Sequence, residues 1–391
     1  MKIFFSVGEP SGDIHGAHLI RALKALEPSV QCVGFGGPRM REVGGEIFFD
    51  LTSLAVMWVA QVLRNLRRFF QLADEAEKYF QTEKPDAVVL IDYPGFNWHI
   101  AKRAKKYHIP VYYYSPPQVW GWRQSRVKKL RRWTDCIFSG LPFETDWLRE
   151  KGCRVEYVGH PFFDETEMSQ LSEGSEIKQL PQPLVGLLPG SRTQEVQQNF
   201  PVFLRVAEKI HAERPDVVFA VAAFREEHAE WIRNQIPGTL QPLISVFTQR
   251  TPEIIQTAHC CLSVSGSVSM ELLAWEKPSV ILYQIPRYAW WLQWYFRRVK
   301  YITLVNLLAV ENPFRDYNPE YTPHRSEASE VLFPEYLTYR DRTSWIADDL
   351  LRWLNDSAYY ATIVKRLQTL KSEVAQPGAS QRAAQMILQR K

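Results

Sequence analysis

Asp92 ends the run K-P-D-A-V-V-L-I-D, residues 84–92, and Y-P-G-F-N follows at once. A short continuous apolar run of this kind reads as a strand buried on both faces of a parallel sheet. In open α/β sheets the carboxyl ends of strands line the ligand crevice, so a carboxylate placed there can serve as a general base. Pro94 and Gly95 are expected to force a turn that keeps Asp92 beside the crevice and out of a helix. The plainer alternative is an Asx-turn or a helix cap. Near the start of the chain, Glu9, Ser11, Asp13 and His15 crowd the turn after the apolar run K-I-F-F-S-V, together with Gly8, Gly12 and Gly16. Glu9 and His15 are further candidates for moving a proton. The glycines either let a helix pack closely or let a ligand approach backbone N–H groups.

A second turn of the same build is L-P-G-S-R, residues 188–192. Gly190 and Ser191 offer backbone and hydroxyl donors, and Arg192 stands where a helix should begin, a seat suited to a diphosphate. An exposed Arg192 that only caps the turn is the alternative. In S-G-S-V-S-M-E, residues 265–271, Ser265, Gly266 and Ser267 could receive phosphate while Glu271 takes a sugar hydroxyl; an ordinary capped helix is the alternative. Several chemistries have no support. Neither the first turn nor G-F-G-G at 34–37 spells G-x-G-x-x-G, and L-P-G-S-R lacks the P-loop lysine. H-E-x-x-H, D-x-D and G-x-S-x-G are also missing. No metal and no cofactor are therefore expected.

Two stretches combine tryptophan with cationic side chains. In the first, Trp120 and Trp122 lead into six cationic side chains between Arg123 and Arg132. The second, residues 287–301, carries Trp290, Trp291, Trp294, Arg297 and Arg298, and Trp58 with Val59 and Val62 adds a third apolar patch. Such groups suit the headgroup level of an anionic membrane, with burial in ordinary cores as the alternative. Neither stretch has the pattern of an RNA-binding module, so no nucleic-acid partner is expected.

These residues need a frame. A chain of 391 residues, 46% hydrophobic, is long enough for two cores. Net charge is +4, which permits anionic partners without demanding them. Five cysteines without CxxC spacing, two of them adjacent at Cys260 and Cys261, fit buried thiols in a reducing compartment. No basic leader or small-residue cleavage site is expected ahead of the first strand, and charges interrupt every apolar stretch before membrane-spanning length. Strands are expected at 2–7, 31–37, 84–92, 109–114, 135–139 and 154–158. A mostly helical stretch covers 51–80, with Leu63, Leu66, Phe70 and Ala73 on one stripe. A polar segment at 164–182 is the best linker. Further strands follow at 184–188, 217–222, 244–247, 261–264 and 279–283, with helices between them at 199–212 and 267–275. Strands alternating with helices in this way predict parallel sheets covered on both faces. The expected division is 1–170 and 180–344, with a helical tail at 345–391 packing back on the first domain.

Ten short motifs then carry a family resemblance: G-E-P-S-G-D (8–13), G-P-R-M (37–40), L-A-V-M (54–57), I-D-Y-P-G-F-N (91–97) and S-P-P-Q-V-W-G-W (115–122), followed by L-P-F-E (141–144), V-G-H-P (158–161), L-P-G-S-R (188–192), S-G-S-V-S-M-E-L (265–272) and L-V-N-L-L-A (304–309). In this order they resemble the bacterial lipid-A-disaccharide synthase family. The resemblance implies an α/β protein of the GT-B class, two facing Rossmann-like domains with parallel sheets and an interdomain cleft. It implies an inverting glycosyltransferase that joins UDP-2,3-diacylglucosamine to 2,3-diacylglucosamine 1-phosphate, releasing UDP. The first domain would face acceptor and membrane, and the second would bind the UDP-sugar. It also implies a cytoplasmic protein peripheral to the inner membrane. The essential aspartate falls on Asp92, and the uridine diphosphate site falls on Arg192, the 265–271 loop and Asn306. Trp58 stands where the family often has glycine, and S-G-S-V replaces the usual S-G-T-A. Gly95 stands where some members have aspartate, and residues 312–332 look like an inserted loop. A homodimer stays open. So do another UDP-sugar transferase or epimerase of the same frame and a non-catalytic membrane-surface protein.

Overall fold

The computed structural model describes residues 1–55, 59–122, 124–164, 175–266, 268–314 and 331–389. Two compact units divide the chain, one formed by Met1–Glu167 with Ala375–Lys391 and the other by Met168–Val374. The first unit holds seven strands: β1 (Lys2–Val7), β2 (Gln31–Gly36), β3 (Glu46–Asp50), β4 (Ala87–Ile91), β5 (Val111–Tyr114), β6 (Cys136–Ser139) and β7 (Val155–Tyr157). They form one parallel sheet in the order β3-β2-β1-β4-β5-β6-β7. Every residue of β4 is buried, as its unbroken A-V-V-L-I requires of a strand covered on both faces. Alternation along β1 divides its side chains between two layers. Ile3, Phe5 and Val7 join Leu19, Ile20 and Leu23 of the helix Pro10–Leu26. Phe4 points the other way, its ring 4.9 Å from Phe80 of the helix Val59–Glu83. On that helix Leu72, Ala73 and Ala76 are buried, whereas Phe70, expected on the buried stripe, is half exposed. The side chains of Leu63 and Leu66 lie outside the described residues.

The second unit holds β8 (Leu184–Leu188), β9 (Val218–Ala223), β10 (Ile244–Thr248), β11 (Cys260–Val264), β12 (Ser279–Gln284) and β13 (Glu335–Thr338). Its parallel sheet runs β10-β9-β8-β11-β12-β13. Cys260 and Cys261 are buried in β11 as free thiols. Two strands have no counterpart among the sequence expectations, β3 and β13. Both are edge strands, short and acidic at their first residue, so their apolar signal is weak. Of the linker, residues 165–174 lie outside the described residues, but Ser175 and Ile177 are buried and Ser175 Oγ donates to Glu253 at 2.6 Å.

The tail differs from expectation. Helices Thr343–Asn355 and Ser357–Val374 belong to the second unit. The first of them buries Ile346, Leu350 and Trp353, and the second stacks Tyr360 on His259 at 4.0 Å. Only Ala379–Gln389 joins the first unit, after a turn at Gly378, whose φ of 88° suits glycine. Ala383 and Ala384 let this last helix lie close against Pro10–Leu26. Its N-terminus is tied down by Asp164, which accepts the N–H groups of Gly378, Ala379 and Ser380 at 2.8, 2.8 and 2.7 Å. A carboxylate on helix-terminal amides is stabilising by charge and by hydrogen bonding. Asp164→Ala should therefore lower unfolding free energy by about 1–3 kcal/mol, read from urea denaturation.

Candidate active site

Strand order reverses beside β1 and β4 in the first unit, and the loops leaving these two strands lie side by side. The first carries Glu9 as the residue before the helix Pro10–Leu26, and the second carries Asp92 and Tyr93. The two turns are in close contact. A Cβ on Gly12 would stand 3.5 Å from Asp92 Oδ2, and one on Gly8 would strike the Tyr93 ring at 2.3 Å. Gly16 is closed by Met40 in the same way, so Gly12 and Gly16 serve helix packing. Asp13 is occupied too, since its carboxylate accepts the N–H groups of Gly37, Arg39 and Met40.

The turn that presents Asp92 is tighter than expected. Asp92 and Tyr93 both adopt left-handed backbone angles, and Pro94 is the first residue of the helix Pro94–Lys106. Pro94 and Gly95 therefore begin a helix, where proline's missing N–H costs nothing. Burial first, then the negative charges of Glu9 and Glu144, push the Asp92 carboxyl up to about 7. Glu144, absent from the expected site, lies in the first turn of the helix Pro142–Glu150. It is fully enclosed, accepting Ser139 Oγ–H at 2.5 Å and the Trp120 indole N–H at 2.7 Å. Burial raises this carboxyl to about 7 even though both hydrogen bonds favour its charged form. His15 moves the other way: burial, with His160 and His18 nearby, lowers it to about 3. An imidazole so weakly basic is a poor proton acceptor, which leaves Asp92 the better candidate.

In the second unit the reversal lies beside β8 and β11, where Leu188 is level with Ser263. The loops after these strands carry L-P-G-S-R and S-G-S-V. Gly190 has a φ of 123° and a would-be Cβ only 2.7 Å from Glu195, so glycine is required. Ser191 is exposed, and Arg192 extends into solvent, 79% exposed, with Nη1 3.2 Å from Glu195. The helix Thr193–Glu213 follows. Ser265 and Glu271 are partly exposed and Gly266 is exposed; Ser267 lies outside the described residues.

The Asn306 side chain is engaged within its own unit. It is buried, and its amide is saturated: Nδ2 donates to Phe333 O at 2.7 Å and Glu335 Oε2 at 3.1 Å, while Oδ1 accepts the N–H groups of Leu332 and Phe333. No donor or acceptor is left for a nucleotide. Glu335, which the sequence did not single out, completes the knot by accepting Thr303 Oγ1–H at 2.6 Å and Ile302 N–H at 2.7 Å. An acidic residue opening an apolar strand was its one signal.

The aromatic groups separate. Trp120 is buried on Glu144 and Arg297 is buried near Glu335, so neither is a surface residue; Trp290 is partly buried against Tyr339. Trp122 is half exposed. On the helix Arg287–Phe296, Tyr288, Trp291, Leu292 and Phe296 are exposed, a stripe at helical spacing, with Arg287 and Arg298 exposed at its ends. Trp58, Arg123, the Trp294 side chain and most of the 312–332 insertion lie outside the described residues. Among the described residues no helix is long and apolar enough to cross a membrane.

Two Rossmann-like units with parallel sheets, each presenting loops at a strand-order reversal, define a fold of the GT-B class. Residues 3–341 match the family described as lipid-A-disaccharide synthetase, and the chain belongs to that family of glycosyltransferases. Lipid-A-disaccharide synthases of Coxiella burnetii (strain CbuK_Q154) and Trichlorobacter lovleyi are each 33% identical over 390 residues, covering 99% of this chain and 97% of theirs. Among solved structures, a UDP-GlcNAc 2-epimerase from Neisseria meningitidis bound to UDP-GlcNAc aligns over 100% of both chains with a TM-score of 0.64 at 12% identity. That likeness concerns the fold alone.

The two raised carboxyls have a consequence for stability. Ordinary values near 3.8 for Asp92 and 4.5 for Glu144 rise to about 7 on folding, so the folded state holds more protons between those limits. Stability must then fall as pH rises through that window. Glu144→Gln should flatten this slope, so that its stability relative to wild type improves between pH 5 and pH 8. Urea unfolding at the two pH values checks it, and an unchanged difference would refute the assignment.

Proposed function

We propose that this enzyme transfers 2,3-diacylglucosamine from its UDP derivative to the 6-hydroxyl of 2,3-diacylglucosamine 1-phosphate. The observation that carries the reading is the partly desolvated carboxylate of Asp92 at the strand-order reversal of the first unit. Asp92 accepts the proton of the 6-hydroxyl as that oxygen bonds to the anomeric carbon, and the bond from that carbon to the diphosphate breaks, with its electron pair leaving on UDP. A base that titrates near the working pH combines the right protonation state with useful driving force. Glu9 acts on Asp92 through its negative charge. An activated leaving group needs no general acid, unlike the carboxylate pair of inverting glycosidases.

The donor would lie on the loops after β8 and β11. Gly190, Ser191, Arg192, Ser265, Gly266 and Ser267 supply amides, hydroxyls and the guanidinium for the diphosphate, and Glu271 takes a hydroxyl of the donor. The exposed side chain of Arg192 is free to swing from Glu195 to a phosphate, an exchange of one anionic partner for another. Asn306 acts indirectly, by holding the segments around it. Membership of the lipid-A-disaccharide synthetase family supports a UDP-sugar as donor.

The test is release of UDP from the acylated donor and acceptor. Asp92→Asn should cut turnover by about 10²–10⁴-fold with little change in donor affinity. The acid limb of the wild-type rate profile should fall near pH 7, activity rising as Asp92 ionises. A variant keeping more than half of wild-type turnover would end the general-base role, and turnover of UDP-N-acetylglucosamine without acyl chains would favour an epimerase or another transferase.

Both substrates carry acyl chains, so they reach the enzyme from a bilayer, and the inner face of the cytoplasmic membrane is the site this reading implies. The stripe of Tyr288, Trp291, Leu292 and Phe296 suits partial insertion at the headgroup level, and nearby cations add about 1 kcal/mol each on an anionic surface. Tyr288→Ser, Trp291→Ser and Leu292→Ser together should weaken co-sedimentation with anionic vesicles and slow turnover of vesicle-borne substrate. Turnover of detergent-dispersed substrate and thermal stability should stay near wild type, because these side chains are already in solvent. A folded triple variant with unchanged vesicle binding would exclude the stripe as an anchor.

A further inference from the structure

Asp92 and Tyr93 have φ values of 45° and 43°. Two consecutive L-residues in the left-handed region are costly, roughly 1–2 kcal/mol each, and persist only where the surroundings determine them. The carbonyl between them is where those surroundings act. Asn97 Nδ2 donates to Asp92 O at 2.8 Å and lies 3.2 Å from both Ile91 O and Ser6 O. Asn97 Oδ1 accepts Ser6 Oγ–H at 2.7 Å, which fixes the amide orientation. From the neighbouring strand β5, the Tyr113 hydroxyl donates to the same Asp92 carbonyl at 2.6 Å. Asn97 and Tyr113 are both completely buried, and the Tyr113 ring is held against Trp98 at 5.8 Å.

The shortest hydrogen bond that each of these two side chains donates goes to the main-chain carbonyl of Asp92. Two donors on one carbonyl stabilise the orientation of the peptide between Asp92 and Tyr93, and that orientation decides where the Asp92 side chain leaves the backbone. Relaxing Asp92 to the ordinary strand region would turn its Cα–Cβ bond away from Gly12. We infer that Asn97 and Tyr113 are positioning residues for the reaction: they hold Asp92 in its left-handed conformation so that the carboxylate faces the turn at Gly12. This inference rests on the reading of Asp92 as the base.

A double-mutant cycle in the full chain tests it, with UDP release as the readout and Tyr113→Phe as the variant because the ring, and with it the packing, is kept. Tyr113→Phe alone should lower kcat by about 10–100-fold, the scale of a small misplacement at a reacting group. KM for donor and acceptor should stay within about twofold. In an Asp92→Asn background the same change should cost almost nothing further, since there is no base left to place. A merely structural role predicts the same proportional loss in both backgrounds, and that result overturns the inference, as does a Tyr113→Phe enzyme within twofold of wild type. Failure of the underlying reading is recognised separately: Asp92→Asn alone would then keep most of its turnover, and the positioning role falls with it. Asn97→Ala should behave as Tyr113→Phe does; should it fail to fold, Tyr113→Phe decides.

Discussion

A carboxylate is useful as a base only if it is held partly out of water, and a carboxylate out of water resists being charged. The first unit is organised around that conflict at Asp92. β4 buries five consecutive apolar residues and delivers the chain to the place in its parallel sheet where the strand order reverses, between β1 and β4. There the loop from β1 comes close enough that Gly8 is needed under the Tyr93 ring, and Gly12 lies beside the carboxylate. Glu9 and Glu144 add negative charge to a desolvated group, and all of these effects favour the protonated form. The outcome is a carboxyl whose proton affinity lies near neutrality. Glu144 is itself costly to bury, and Ser139 and Trp120 offset part of that cost.

The second unit solves a different problem with a similar device. The loops proposed to hold the donor leave β8 and β11, but β12 and β13 extend the sheet beyond them, and the level of Leu188 in β8 continues through Ser263 and Ile281 to Glu335. At that level the buried Glu335 carboxylate and the Asn306 amide bind residues 302–306 to 332–335. A network with every member satisfied is rigid, whereas one with a member removed leaves a buried polar group unpaired. Sensitivity of activity to Asn306 thus needs no contact with the nucleotide. The same holds at Asp164, which secures the last helix of the chain through three main-chain amides.

Much of this was legible in the residues. The apolar runs of β1, β4, β8 and β11 announce parallel strands because burial on both faces leaves no polar alternation, and a glycine-bearing turn marks the end of β8. Asp92 was legible because it interrupts such a run with a charge. What was not legible has a common cause: it depends on partners distant in the chain. Ser6 reads as a small strand residue until Asn97 is placed 91 residues away, and Tyr113 reads as one more aromatic in Y-Y-Y. Trp120 looked like a surface residue beside cations, yet its indole N–H is the donor that Glu144 requires. The motif around Asn306 marks the residue but not which atoms it touches, so its internal hydrogen bonds to Phe333 and Glu335 were not legible. The edge strands β3 and β13 were missed because acidic first residues dilute a short apolar signal.

The tail shows the same limit at the scale of helices. Periodicity identified helices beyond Thr343 but carried no information about which sheet would receive them. Bulk decides that question. Ile346, Leu350 and Trp353 fill the broad face beside Thr193–Glu213, while the last helix offers mainly Ala379, Ala383 and Ala384, which suit a narrow approach to Pro10–Leu26. Gly378 permits the turn between the two, and Asp164 is placed to receive the amides that the turn exposes. Ile387 adds one large buried side chain further along the helix, and the carboxylate holds its first turn. The last helix and the sheet carrying Asp92 are therefore one cooperative structure: Tyr114, at the end of the strand after β4, shares a hydrogen bond of 3.0 Å with Ser380.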